Sequence, residues 1–286
     1  FKDQIKNQTS PEWQDLYFTL PSIKGERKLC FKAIDNQQLL AFALVTYSQS
    51  MNLADIDQIY PAADEDVFFS LLTFIEKTLK EMGCLILQIH YESNVAQSPP
   101  LIETMLLKNG FGLKTICMIL YFFDIFAFHP PWFDKAYPLP PGFSLLLWKD
   151  VDPKEKERLA ILQERFTFHP FISPTAEHSI VQLINSLTLV FENQVIGWVI
   201  THTSPIEPDT IRYSAFYVDP QYLNKAVAVP LLQKSIQLQQ KSKLQWGYFT
   251  INVEYTDIRW RRFVDQRLRQ NTYQIIHIVR LSKSLF

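Results

Sequence analysis

Two residue patterns between Val195 and Leu232 are of kinds that do chemistry. The first is Leu223-Asn224-Lys225-Ala226-Val227-Ala228, which opens a helix expected over Asn224–Ser242. Free N–H groups and the helix dipole at such a start favour negative charge. Lys225 adds a positive charge, and Ala226 and Ala228 leave room for a close approach of backbone to an anion. Asn224 tolerates a left-handed backbone better than most residues, which suits a tight loop. The second is His202, at the end of the strand expected over Val195–Thr201. An imidazole titrates near neutrality, so His202 is the first choice for moving a proton, ahead of Glu192, Glu254 and Asp257. The bland readings are a surface lysine at an ordinary helix start and a strand-end histidine that only packs.

Other chemistries are not written in the chain. His90, His129, His169, His178, His202 and His277 show no metal-ligand spacing such as HExxH, so no metal is expected. GxSxG, GxxxxGK[ST] and GxGxxG are all missing, and only 7 glycines are present to build phosphate cradles of those kinds. Cys30, Cys84 and Cys117 lie in apolar strand-like runs with no CxxC pair, and read as reduced core residues of a cytoplasmic protein. No apolar run reaches the ~18 residues of a membrane span. Nothing at the start resembles a secretion signal, and an opening Phe1 in place of Met implies that leading residues are missing. Net charge is −1, against a general nucleic-acid binder. That charge is uneven: residues 1–142 carry −5 and residues 143–286 carry +4, so a multiply phosphorylated ligand would prefer the second half.

The elements that must position these residues form a repeat. In the second half, apolar runs Leu187–Phe191 and Val195–Thr201 flank Glu192-Asn193-Gln194, a hairpin pattern. Ile211–Val218 follows as a third strand, stopped by Asp219-Pro220. A strand over Trp246–Val253, a late helix over Asp257–Arg269 and a closing strand over Tyr273–Leu281 complete this half. Phe143–Trp148 opens it, Asp152-Pro153 starts a helix to about Glu164, and a second helix is expected over Pro174–Ser186. The first half repeats the order: Asn36 lies 157 residues before Asn193, and Asn109-Gly110-Phe111 lies 157 before Gln266-Arg267-Leu268. A helix over Asp66–Met82 and strands over Leu85–Tyr91 and Leu113–Phe123 fill the matching places, with a helix over Pro11–Leu20 before them. The opening strand has no counterpart in the first half. Between the halves, Asp124–Pro141 holds five prolines and cannot be helix or central strand, yet its aromatics should pack on the domains. We therefore expect two tandem mixed α/β domains: residues 1–124, a linker at 125–142, and residues 143–286.

Hairpin, strand, Val218-Asp219-Pro220, small-residue loop and helix together resemble the core of the GNAT acyltransferase superfamily. In that family the third strand ends in Val-x-Pro, and an Arg/Gln-x-x-Gly-x-Gly/Ala loop holds the coenzyme A pyrophosphate. Here Leu223 stands at the Arg/Gln position, and Ala226 and Ala228 stand at the small positions. The resemblance implies that Phe216, Tyr217, Val218 and residues Leu223, Asn224, Lys225, Ala226, Val227 and Ala228 hold the donor. It implies a backbone N–H of the third strand facing the thioester carbonyl, with the pantetheine arm between Tyr213–Val218 and Trp246–Val253. The family's strand carboxylate is missing from Arg212-Tyr213-Ser214-Ala215, which leaves His202 as the first choice of base; Ser214 is a further catalytic candidate. The family's late-helix tyrosine falls on Val264, and on Leu106 in the first half, so Tyr255 is the substitute proton donor.

The implied function is acyl transfer, acetyl or a longer fatty acyl group, from a coenzyme A or carrier-protein thioester to an amine of a small molecule or peptide by direct attack. An acyl carrier protein is an implied partner, and Arg259, Arg261, Arg262, Arg267 and Arg269 form a basic region for it or for phosphate. Asp64, Glu65 and Asp66 would repel pyrophosphate in the first half, which reads as a degenerate structural copy. The alternative is a non-catalytic binder whose cleft Tyr213, Tyr217, Trp246 or Phe249 fills.

Overall fold

The computed structural model describes residues 25–60, 64–164, 168–204 and 209–286. The helix expected over Pro11–Leu20, together with Ala62 and Ala63, lies outside these residues. The described chain forms two compact units. The first runs to Met118 and takes in Ile276–Phe286, and the second is Ile119–Ile275.

In the first unit, β1 (Glu26–Asp35) and β2 (Gln38–Ser48) form an antiparallel hairpin. Its turn residues Asn36 and Gln37 have φ of 46° and 67°. Two successive positive φ values give the turn whose twist matches that of paired strands. β3 (Leu53–Tyr60) pairs with β2, and β4 (Ile86–Asn94) runs parallel to β3. Between them lies α1 (Glu65–Glu81), capped where Asp64 accepts a hydrogen bond from the Asp66 N–H at 2.8 Å. Phe68, Leu72, Ile75 and Leu79 fall on one stripe of α1 and pack on Ala43, Ile56 and Leu87. α2 (Leu101–Lys108) follows, and β11 (Gln274–Ser284) closes this sheet against β4. The strand order is β1-β2-β3-β4-β11.

The second unit receives the later part of β5 (Thr115–Asp124). It then contains β6 (Phe143–Leu147), α3 (Pro153–Glu164), β7 (Leu187–Phe191), β8 (Gln194–Thr203), β9 (Thr210–Val218), α4 (Ala228–Gln240), β10 (Trp246–Asn252) and α5 (Ile258–Phe263). Its strand order is β6-β7-β8-β9-β10-β5. Glu192 and Asn193, with φ of 48° and 66°, form the same turn as in the first unit. The two units are thus exchanged at their last strands: β11 sits with β1–β4, whereas the expected halves, 1–124 and 143–286, are each continuous.

Two cores cover the two faces of the second sheet. Leu231, Leu232 and Ile236 of α4 pack with Ile211, Tyr213 and Phe249 on one face. Trp148, Leu159 and Phe168 pack with Trp198, Ile200 and Ala215 on the other. The aromatics between the halves join the first of these cores: Phe128, Trp132 and Phe133 are buried, and Trp132 donates its ring N–H to the Arg267 carbonyl at 3.2 Å. Phe126 is exposed.

Four expectations are corrected. Residues 174–186 form turns and a short 3-10 helix, His178–Ile180, instead of a helix. Their backbone is bound to β8, with Gln182 N–H donating to the Thr201 carbonyl at 2.8 Å and Val181 bridged to His202. The helix expected from Asn224 begins at Ala228, after a 3-10 turn over Pro220–Lys225. The late helix is α only to Phe263, then π-helical over Val264–Leu268 and 3-10 over Arg269–Asn271. Of the three cysteines expected in the core, only Cys84 is buried and Cys30 is exposed.

Gly247 on β10 faces the core with no room to spare. A Cβ there would come within 2.5 Å of the Phe123 ring. That ring is fully buried and stacked on Phe249 at 4.7 Å, so it has nowhere to go. Gly247→Ala is therefore expected to cost about 1–3 kcal/mol by overpacking. Urea denaturation checks this: the midpoint should fall with an unchanged slope, and an unchanged midpoint would contradict it.

Candidate active site

β9 and β10 are parallel neighbours for only four residue pairs, from Thr210 with Trp246 to Tyr213 with Phe249. Beyond Tyr213 no register joins them, and a gap opens in the sheet. On the other side of β9 the ladder to β8 is interrupted at the same point. Ile200 pairs with Ala215 and Thr201 with Tyr213, so Ser214 is an extra residue with no partner on β8. Such a bulge reverses which face later side chains take. Tyr213 accordingly belongs to the α4 core, Ala215 to the α3 core, and Phe216 returns to stack on Trp260 of α5 at 4.3 Å. Tyr217 stacks on Trp198 at 4.5 Å. The first unit has the same bulge at Asp57, 157 residues before Ser214, where Leu44 pairs with Gln58 and Val45 with Ile56.

A cavity of about 500 Å³ occupies the gap. Leu232 and Phe249, of the α4 core, and Ile172 and Tyr217, of the α3 core, both line it, so its walls come from both faces of the sheet. Tyr213 and Phe249, two of the residues that would fill the cleft of a non-catalytic chain, form its floor. The Tyr213 hydroxyl points away, donating to the Gln239 side-chain oxygen at 2.8 Å and accepting from Asn185 at 3.3 Å. Trp246, at the start of β10, is not among the lining residues.

His202 and Ser214 meet across β8 and β9. His202 is 2% exposed; its Nδ1 lies 2.8 Å from Ser214 Oγ, and its Nε2 lies 3.3 Å from the Ala176 carbonyl. A carbonyl only accepts, so Nε2 carries the proton and Nδ1 presents its lone pair to the serine hydroxyl. Ser214 Oγ is also 3.2 Å from the Arg212 carbonyl. Burial pushes the imidazole below its ordinary pKa, which keeps it neutral; the Ala176 hydrogen bond pulls the other way. Glu177 stands 4.0 Å from Nδ1, paired with the Arg212 guanidinium. Ser214 lines the cavity, and His202 reaches it only through Ser214.

The donor-holding residues read from the sequence divide. Phe216, Tyr217, Val218, Leu223, Asn224 and Ala228 line the cavity. Lys225 and Ala226 are exposed and, like the fully buried Val227, are not among the lining residues. The left-handed residue of the turn is Ala226, with φ of 57°, and not Asn224, which lies in the 3-10 turn. Val227 gives α4 no side-chain cap, in contrast to α1, which Asp64 caps. The first turn of α4 thus carries no side-chain cap, and Pro230 within it has no N–H to offer.

Of the other candidates, Tyr255 and Asp257 line the cavity. Asp257 caps α5, accepting from Arg259 N–H at 2.7 Å and from its guanidinium at 3.1 and 3.0 Å. That hydrogen bonding holds its carboxyl below the usual range, which makes it a weak base. Glu192 sits in the exposed hairpin turn and does not line the cavity. Tyr255 does line it, and its ring stacks on His169 at 4.0 Å. Val264 and Leu106, at the family's tyrosine positions, are fully buried. The sequence reading missed the apolar wall made by Val229, Leu232, Trp260 and Phe263. Val229 and Leu232 carry the helical spacing that marks a core-facing stripe, which hides a binding wall. Among the described residues no group of three or more His, Cys, Asp or Glu is placed to hold a metal ion, and no helix is long and apolar enough to cross a membrane.

No protein-family profile matches the chain, and no curated protein matches it in sequence. Solved structures do. A tandem GNAT protein from the clavulanic acid biosynthesis pathway is 11% identical, with a TM-score of 0.66 over 98% of this chain and 96% of its own. A GCN5-related N-acetyltransferase from Sphaerobacter thermophilus is 12% identical, with a TM-score of 0.60 over 97% of this chain and 86% of its own. With hairpin, bulge, splayed strands and uncapped helix start in the second unit, and the hairpin and bulge repeated in the first, the chain has the GNAT fold in tandem.

Proposed function

We propose that the second unit is an N-acyltransferase site. It moves an acetyl or longer acyl group from a coenzyme A or carrier-protein thioester to an amine of a small molecule or peptide, by direct attack. The observation that supports this reading is the cavity at the β9–β10 gap, lined by residues of both sheet faces. A thioester entering along α4 and an amine entering from the α3 face would meet at Ser214. The uncapped start of α4, with Lys225 beside it, suits the pyrophosphate, and Ala226 and Ala228 keep side chains out of its way. The backbone at the bulge, outside both ladders, is suited to donate to the developing oxyanion. An amine must lose a proton on attack. The Ser214 hydroxyl is placed to accept it while passing its own to His202 Nδ1. A thiol of pKa about 8.5 leaves readily, so no acid is required at Val264. The apolar wall of Trp260 and Phe263 suits pantetheine or an aliphatic chain, where each buried CH₂ adds about 0.8 kcal/mol.

In this reading the first unit is a structural copy. Its bulge carries Asp57, which accepts from Thr46 Oγ at 2.6 Å, and the acidic first turn of α1 disfavours pyrophosphate. A thioester binder without turnover is the second reading, favoured by Leu223 and Val264 at the Arg/Gln and Tyr positions. Thiol release from acetyl, octanoyl and palmitoyl coenzyme A, with and without a panel of primary amines, separates the two. Amine-dependent release supports the transferase, and binding with no release under any amine supports the binder.

A further inference from the structure

The His202–Ser214 pair has the geometry of a nucleophile with its base, and not only of a proton relay. A hydroxyl becomes a usable nucleophile when an adjacent base can take its proton and a third group orients that base. All three parts are present. The nearest partner of Ser214 Oγ is His202 Nδ1 at 2.8 Å, closer than the Arg212 carbonyl at 3.2 Å. The Ala176 carbonyl fixes the tautomer that leaves Nδ1 as acceptor. The Glu177 carboxylate, 4.0 Å from Nδ1, faces the imidazolium that proton transfer would create, with the Arg212 guanidinium as its other neighbour. Ser214 stands on a bulge outside both strand ladders and lines the cavity at the gap. The base is 2% exposed, so bulk water reaches the serine before the histidine.

We infer that Ser214 is itself an acyl acceptor, so that with no amine in place the protein acylates its own serine and hydrolyses thioesters. The inference rests on the proposed thioester site. In the first half-reaction Oγ attacks the thioester carbonyl carbon. The O–C bond forms, the C–S bond breaks with its electron pair leaving on sulfur, and the hydroxyl proton passes to His202 Nδ1. The leaving thiolate is protonated by the His202 imidazolium, so the imidazole is neutral again. In the second, water attacks the ester carbon as one of its protons passes to His202 Nδ1, the C–Oγ bond breaks with its electron pair on Oγ, and Oγ takes the proton from His202. The products are the free carboxylic acid and the thiol. An amine bound from the α3 face intercepts the acyl group earlier and uses the same pair as relay.

The test is intact-mass analysis of the full chain mixed with acetyl or octanoyl coenzyme A in the absence of amine and quenched in acid, with peptide mapping and parallel calorimetry. We expect one added acyl group on Ser214, lost in Ser214→Ala while calorimetric thioester binding persists, and slow thiol release lost with it. Ser214→Cys should retain the label as a thioester, and His202→Gln should slow its appearance at least about 10²-fold. A thioester that binds and is turned over with amine but leaves no label on Ser214 at any time overturns the inference and spares the proposed function. A chain that binds none of these thioesters overturns both.

Discussion

Replacing His202 by alanine is expected to lower kcat of acyl transfer about 10²–10⁴-fold, the range for a positioned general base. Affinity for the thioester should stay nearly constant, because His202 touches Ser214 and Ala176 and does not line the cavity. The pH profile gives a second readout. The neutral imidazole is the active form, so the rate should fall on the acid side as His202 gains a proton. Burial lowers its pKa, which moves that fall below the ordinary value near 6.5. The Ala176 hydrogen bond opposes the shift, and the charged groups facing the ring are Glu177 at 4.0 Å and Arg212 paired with it. The sign for stability follows. The folded state binds this proton less tightly than the unfolded chain, so the contribution is complete above the unfolded pKa and declines as pH falls below it. In His202→Ala the acid limb should flatten. A variant with wild-type kcat and an unchanged profile would remove His202 from the chemistry.

Trp198→Ala should be among the most damaging single changes to stability, at about 3–5 kcal/mol. The side chain is 1% exposed, stacks on Tyr217 at 4.5 Å and meets Phe168 edge-on at 4.9 Å. Its ring N–H donates to the Ile172 carbonyl at 2.7 Å. Removing it opens a hole in the α3 core and strands that carbonyl. The effect reaches the site, because Ile172 and Tyr217 both line the cavity. Trp198→Phe keeps most of the packing and loses the hydrogen bond, so it should cost about 1 kcal/mol more than packing alone. Urea denaturation of both variants measures this. A loss below about 1 kcal/mol for the alanine variant would mean that this ring does not hold the α3 core together.

Local pattern carried the sequence reading far. The hairpins were legible because Glu192-Asn193 and Asn36-Gln37 adopt the positive φ that such short polar turns require. The repeat was legible because hairpin, third strand and helix recur at a nearly constant offset. The Asn193 and Asn36 turns and the Ser214 and Asp57 bulges share the same 157-residue spacing, although the bulges leave no mark in residue type. What could not be read was set by tertiary bonding. β5 and β11 are similar apolar strands, and nothing in either says which unit its sheet neighbours belong to. A helix is expected over residues 174–186, yet Val181 bridges to His202 and Gln182 N–H bonds to Thr201 of β8, and the side chains of Asn185 and Ser186 also bond to Thr201. In the loop before α4, the 3-10 turn over Pro220–Lys225 puts the left-handed position at Ala226, and not at Asn224 as residue type suggests. His202 and Ser214 were both candidates on residue type, and only the strand register brings them within 2.8 Å.

Calorimetric titration of the chain with acetyl, octanoyl and palmitoyl coenzyme A, beside an Asn224→Asp/Lys225→Glu variant, tests the central claim most directly. Both residues are exposed at the uncapped start of α4, so the variant changes charge there without touching the core. The account predicts saturable binding that the variant weakens about tenfold or more, with the preferred chain length identifying the donor. Binding that is indifferent to the variant, or no binding to any of the three, would contradict a coenzyme A site at α4.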